Sequence, residues 1–216
     1  MTPITKTIID DLIAEFNELT PEGRNNQIRI QQYKREAEIL RDKDPARGFS
    51  ALGIVATLQK NYNDMNSYHQ AAIKYEPMNS FYKKNYAVSL TKLGYLPEAY
   101  KVAKEAYEIN KSSPELLFFL LSASINNGRF CETLALCDNW QKLKPDEEYP
   151  YKTHIEKFVK IMEKSGINDE ELVDVFNIAS SGLRKKNVYI DDRAFYYTDD
   201  TFGIKYQIDI LFLMDY

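Results

Sequence analysis

The chain carries few side chains suited to chemistry. It has two histidines, His69 and His154, and two cysteines, Cys131 and Cys137. A protein zinc site needs several nitrogen or sulfur ligands at short helical or knuckle spacing. No residue of that type stands three or four positions from His69, so no metal ligand is expected there and His69 reads as a packing residue. No serine–histidine–aspartate or cysteine–histidine pattern has a nucleophile's local signature, and no glycine-rich phosphate loop is present. The cysteines lie six apart in one expected helix, cannot bridge each other, and read as two reduced core thiols. Two carboxylate pairs remain, Asp191–Asp192 and Asp199–Asp200. Converging oxygen ligands from both would suit a hard cation such as Mg²⁺. Both pairs fall where strands are expected to turn, and Asp is a favoured turn residue. The expectation is therefore no catalytic residue, no metal and no cofactor.

The elements around these residues must explain the chain. Its 216 residues suit one domain with a small appendage. The apolar fraction of 44% is that of a globular protein, and with 8 Gly and 8 Pro long flexible linkers are not expected. A net charge of −4 without a basic cluster is no footprint for nucleic acid or an anionic membrane surface. The first residues, "MTPITKTIIDDLIAEF", lack the basic-then-apolar order of a secretory leader. The runs "LLFFLL" and "ILFLM" are too short to span a bilayer, and a cytoplasmic protein is expected.

The organising feature is a period. The stretch "KNYNDMNSYHQAAIKYEPMN" at 60–79 meets "GYLPEAYKVAKEAYEINKSS" and "GRFCETLALCDNWQKLKPDE" at successive shifts of 34, without a gap. Three units follow, 46–79, 80–113 and 114–147. A turn position holds Lys60, Gly94 and Gly128, and two further on stand Tyr62, Leu96 and Phe130. Small positions hold Met65, Ala99 and Thr133, then Ala72, Ala106 and Trp140, and a closing position holds Pro77, Lys111 and Pro145. Glycine suits a helix end that finishes left-handed, small residues let a neighbouring helix approach, and Pro stops a helix. This pattern resembles the tetratricopeptide repeat, a 34-residue unit of two antiparallel helices. Lys60, Lys111 and Trp140 depart from its preferred residue types.

The flanks complete the expected architecture, a mostly α, tetratricopeptide-like solenoid of about ten helices. Residues 1–45 read as capping helices, with Ile8, Ile9, Leu12, Ile13, Phe16 and Leu19 striping the first. A Thr20 cap with Pro21 precedes the second, which runs to Leu40. Such helices would cover the open end of a repeat array. Residues 148–186 read as a helix pair broken at Gly166, with Asn168 capping the second helix. In 187–216 the pattern turns β-branched and aromatic, with three short strands expected at about 187–190, 194–198 and 204–214. That tail holds six acids and two bases, so it accounts for the whole net charge.

The resemblance implies a protein-binding groove whose inner wall is formed by the first helix of each unit. Carried over by register, the wall is Arg47, Ser50, Ile54, Thr57 and Leu58, then Phe81, Lys84, Val88, Thr91 and Lys92, then Glu115, Phe118, Ser122, Ile125 and Asn126. Partner contacts are expected from Ile54, Phe81, Lys84, Val88, Lys92, Phe118, Ser122 and Asn126. Ile54 stands where a carboxylate clamp would hold Asn, so a mixed, partly apolar wall is expected instead, suited to an extended segment or an amphipathic helix. The competing reading has the N-terminal helices or the tail filling this wall. The function implied is a non-catalytic scaffold holding a protein or peptide partner, chaperone-like, regulatory or immunity-type. Weak self-association is expected through the apolar C-terminal strand. The alternative is an enzyme or metal-dependent activity in the Asp-rich appendage, with the repeats as a docking platform.

Overall fold

The computed structural model describes residue 12, residues 26–186 and the backbone of two strands, Tyr189–Asp199 and Lys205–Leu213. Its fold class is the expected one, mostly α and built of tandem helical hairpins.

Local signals set the helix boundaries. Helix α1, Gln27–Lys43, starts where the Asn26 side chain accepts from the Arg29 N–H at 3.1 Å. The expected start at Thr20–Pro21 lies outside the described residues. Helix α2, Pro45–Leu58, is capped by Asp44 and has Pro at its first position, where the missing N–H costs nothing. Asn61 caps α3, Tyr62–Tyr75. Then come α4, Ser80–Lys92, α5, Leu96–Ile109, α6, Pro114–Asn126, and α7, Phe130–Leu143. The second helices α3, α5 and α7 are each 14 residues long and begin at 62, 96 and 130, the 34-residue step of the sequence.

All three hairpin turns close in the same way. Lys60, Gly94 and Gly128 have φ of 56°, 79° and 75°. Each donates its N–H to the carbonyl three residues back, at 2.9 Å, and the next residue's N–H reaches five back, at 2.9–3.0 Å. This is the paired 6→1 and 5→2 closure that satisfies orphan helix carbonyls. Lys60 meets the same backbone demand as the two glycines, with a Cβ that disfavours it. The missing closing Pro at Lys111 is replaced by Pro114, which follows the Ser113 cap at the start of α6. Trp140 is accommodated at its small position because the following loop folds back. The indole is 7% exposed and donates to the Glu147 carbonyl at 2.9 Å.

The chain divides into two compact units, one ending at Ser89 and the other beginning at Leu90. In the first, α1 packs on α2 and α2 pairs with α3. Gly48 permits the α1–α2 approach, since a Cβ there would sit 2.1 Å from the Arg41 Cα. The core gathers Leu12, Ile30, Ala37 and Leu40 with Leu52, Ile54, Val55 and Leu58. Leu12 is the one described residue of the expected first capping helix; it is helical and fully buried. Burying a leucine of this kind contributes roughly 1.5–3 kcal/mol.

In the second unit α5, α6 and α7 pack in series, and α8, Lys152–Ser165, lies on α7. Gly166, with φ 67°, ends α8. Helix α9, Asp169–Lys185, opens on a complete capping box between Asn168 and Glu171, and packs on both α5 and α7.

The strands β1, Tyr189–Asp199, and β2, Lys205–Leu213, form one antiparallel hairpin. Its register runs from Tyr189 opposite Leu213 to Asp199 opposite Lys205. The first two expected strands are thus one, with an irregularity between Ile190 and Ala194. Asp191 and Asp192 sit inside that irregularity and not at a turn between strands. A local bulge lets a strand absorb such a break without ending. Asp200, the other half of the second pair, lies outside the described residues.

Candidate functional site

The expected wall residues divide by burial. Ile54 is 2% exposed and belongs to the core that α1 shares with α2, so it is no partner contact. Lys92 is 3% exposed, which removes it as a rim charge. Both fail for one reason: register shows which face of a helix points where, but not what covers that face. Leu58 lies in the same core, and Ser50 and Thr57 are buried as well, Ser50 accepting from the Asn85 side chain of α4 at 3.1 Å and Thr57 donating to the Gly53 carbonyl at 2.9 Å. On α4, Phe81 is exposed and Lys84 half-buried, while half-buried Val88 packs against the first unit's core. On α6, Phe118 is 39% exposed, with Ser122 and Asn126 half-buried one and two turns further on.

Phe118 is part of a larger construction. Its ring meets Trp140 of α7 at 5.8 Å and Tyr149 at 5.6 Å, and Trp140 meets Tyr149 at 5.8 Å. Tyr149 in turn meets Tyr151 edge-on at 5.8 Å. These separations and tilts are those aromatic pairs prefer. Trp140 and Tyr149 are buried, whereas Phe118 and Tyr151 are 39% and 53% exposed. Two buried rings therefore hold two exposed ones. Burial pushes the Tyr149 phenol well above its ordinary range. Its oxygen has no hydrogen-bond partner of good geometry, the neighbouring Ser122 hydroxyl donating to the Phe118 carbonyl at 3.0 Å. Sequence register finds Phe118 and Ser122 but misses Trp140, Tyr149 and Tyr151. The available signal was the Tyr-Pro-Tyr run at 149–151, shortly after a tryptophan placed where the repeat prefers a small residue.

Of the residues suited to chemistry, His69 is a core residue. His69 is fully buried on the Tyr86 ring at 5.3 Å, with Nε2 2.9 Å from the Ser89 hydroxyl and Nδ1 unpartnered. Burial lowers its pKa to about 3, so it is a neutral core group. Gly53 makes the room, since a Cβ there would lie 2.6 Å from the imidazole. His154 is exposed. Cys137 is buried as expected but Cys131 is exposed; burial first, and for Cys131 then the Asp169 charge, push both thiols up to about 11. Among the described residues no three His, Cys, Asp or Glu converge as a metal-ligand group.

Three polar arrangements fasten the second unit. The Asp169 carboxylate accepts from the Cys131 and Glu132 N–H groups, both at 3.0 Å, so α9 caps the start of α7. Arg184, at the other end of α9, donates to the Gly94 carbonyl and stacks over the Tyr95 ring at 4.8 Å. Between α5 and α7, Glu132 accepts from the Tyr100 hydroxyl and from Lys104 Nζ at 2.9 Å, with Arg129 3.7 Å away. Although burial pushes the Glu132 carboxyl up, the bonds from Tyr100 and Lys104 hold it below its usual value. Burial and then the bond to Glu132 drive the Tyr100 phenol up to about 12.

No protein-family model and no curated protein matches the chain. Among solved structures it is similar to a mutant of MamA, at 16% identity and a TM-score of 0.48 over 85% of this chain and 93% of that one. MamA MSR-1 aligns at 16% identity and 0.47, covering 86% and 99%. A mutant of the Thermobaculum terrenum O-GlcNAc transferase aligns at 16% and 0.45 over 66% of this chain. The chain spans 27% of that transferase's length. No described helix is long and apolar enough to cross a membrane.

Proposed function

We propose that this tetratricopeptide-like repeat protein is a non-catalytic protein-binding module whose partner segment docks on the ring platform of Phe118 and Tyr151. The observation that carries this reading is the pairing of two exposed rings with two buried ones in the Phe118–Trp140–Tyr149–Tyr151 cluster. Aromatic anchors supply much of the energy of protein interfaces, often 2 kcal/mol or more each. Rings already held by packing lose little freedom on binding, which favours affinity. Ser122 and Asn126 follow Phe118 at successive turns of α6 and offer polar contacts beside it. Phe81 and Lys84 give α4 a second, smaller surface of the same kind. Holding a segment of another protein, as a chaperone, a regulator or an immunity-type inhibitor does, requires a surface like this and no catalytic group.

Photo-crosslinking tests the reading. A benzoylphenylalanine placed at Tyr151 or Phe81 in the native host should give a discrete protein adduct. The same probe at exposed Lys160 of α8 should not. Phe118→Ala should weaken capture at position 151 about tenfold or more. Equal labelling from all three positions, or none, would overturn the proposal.

A further inference from the structure

A second surface lies on the other helices of the repeat. Helix α9 crosses α5 and α7 near their starts, with Asp169 at Cys131, Leu172 against Gly128 and Arg184 at Gly94. Further along, the downstream halves of α5 and α7 leave a half-open groove of about 440 Å³. Its apolar lining comes from Tyr107, Leu120, Leu136 and Leu143.

The charges around this groove are unequal. Glu132 is matched by both Lys104 and Arg129, and Glu108 by Lys111 at 2.8 Å. Lys142 also lines the groove, is exposed, and has no carboxylate partner among the described residues. Its place in the last turn of α7 suits the helix dipole but supplies no counter-ion. The groove lining sets Lys104, Lys111 and Lys142 against Glu108 and Glu132, one surplus positive charge over an apolar floor, in a chain whose net charge is −4.

We propose that the α5–α7 groove is a second docking site, for a partner-protein segment that joins large apolar side chains to carboxylates. The apolar side chains cover Leu136 and Leu143, and a carboxylate pairs with Lys142. Charge complementarity selects the acidic segment over a basic or neutral one. The site is independent of the Phe118 platform, and either can fail without the other.

The test is a selection of displayed random dodecapeptides on the full chain, counter-selected on a Lys142→Glu, Leu136→Lys variant. Enriched peptides should combine Leu, Ile or Phe with Asp or Glu. Their affinity, read by fluorescence anisotropy, should fall about tenfold in Lys142→Glu alone, as for loss of one charged contact. It should also weaken with salt and stay unchanged in Phe118→Ala. The circular dichroism of Lys142→Glu should match the parent, since the side chain is exposed. Basic or uncharged peptides, peptides lost with Phe118→Ala but not with Lys142→Glu, or no enrichment would overturn the proposal. So would a saturable response to dodecanoate with no enriched peptide, which would make the groove a site for a small amphiphile.

Discussion

Acidification should destabilise the first unit through His69, by an amount the structure sets. The imidazole is fully buried, with the Ser89 hydroxyl beside Nε2, the Tyr86 ring against its face and Gly53 beneath it. Burial lowers its pKa to about 3, against 6.5 for the unfolded chain. A depressed histidine pKa means that the unfolded chain binds the proton more readily. The stability is therefore complete above pH 6.5 and is lost as pH falls from 6.5 towards 3. Each pH unit in that window is worth about 1.4 kcal/mol, so the loss by pH 5 is about 2 kcal/mol. Carboxylates contribute little above pH 5, which isolates the effect. The assay is urea unfolding followed by helical circular dichroism at pH 7.5, 6.5 and 5, on the parent and on His69→Phe. Phenylalanine keeps the ring and cannot take a proton. The parent should lose about 2 kcal/mol more than the variant between pH 7.5 and 5. Identical pH dependence in the two proteins would refute the reasoning and show that the His69 site opens to water before the fold is lost.

Three further outcomes follow from single residues. Lys60→Gly should stabilise the first hairpin by about 0.5–1 kcal/mol, because relief of left-handed strain outweighs the added freedom of the unfolded chain; an unchanged urea midpoint would count against the strain at φ 56°. Asp169→Ala removes both bonds to the start of α7 and should cost about 2 kcal/mol, lowering the melting temperature by several degrees. Phe118→Ala should cost about 2 kcal/mol of stability, less than for a fully buried ring because Phe118 is 39% exposed, and a protein still helical at 25 °C is the outcome that lets its binding be measured.

Much of the helical order was legible in the chain itself. The 34-residue step, the turn positions at 60, 94 and 128, and the caps at Asn168 and Gly166 depend on neighbours a few residues away. A Schellman closure needs a left-handed residue after the last turn, and a capping box needs Asn and Glu three apart. Such demands act over one or two turns of chain, so residue type announces them. Register also placed Phe81 and Phe118 on solvent-exposed positions.

Burial of a helix face belongs to tertiary structure. Ile54 and Lys92 fit the wall by register, yet Ile54 lies in the core shared with α1, and Lys92 is buried. The Phe118 platform needs Trp140 from the next helix and two tyrosines from the loop beyond it. The Asp169 cap links residues 37 and 38 positions apart, and the α5–α7 groove exists where α9 leaves those helices uncovered. The chain's periodicity fixes which side chains share a face, because helical geometry is local. Which of those faces meets water depends on segments far away in sequence, and only packing brings them together.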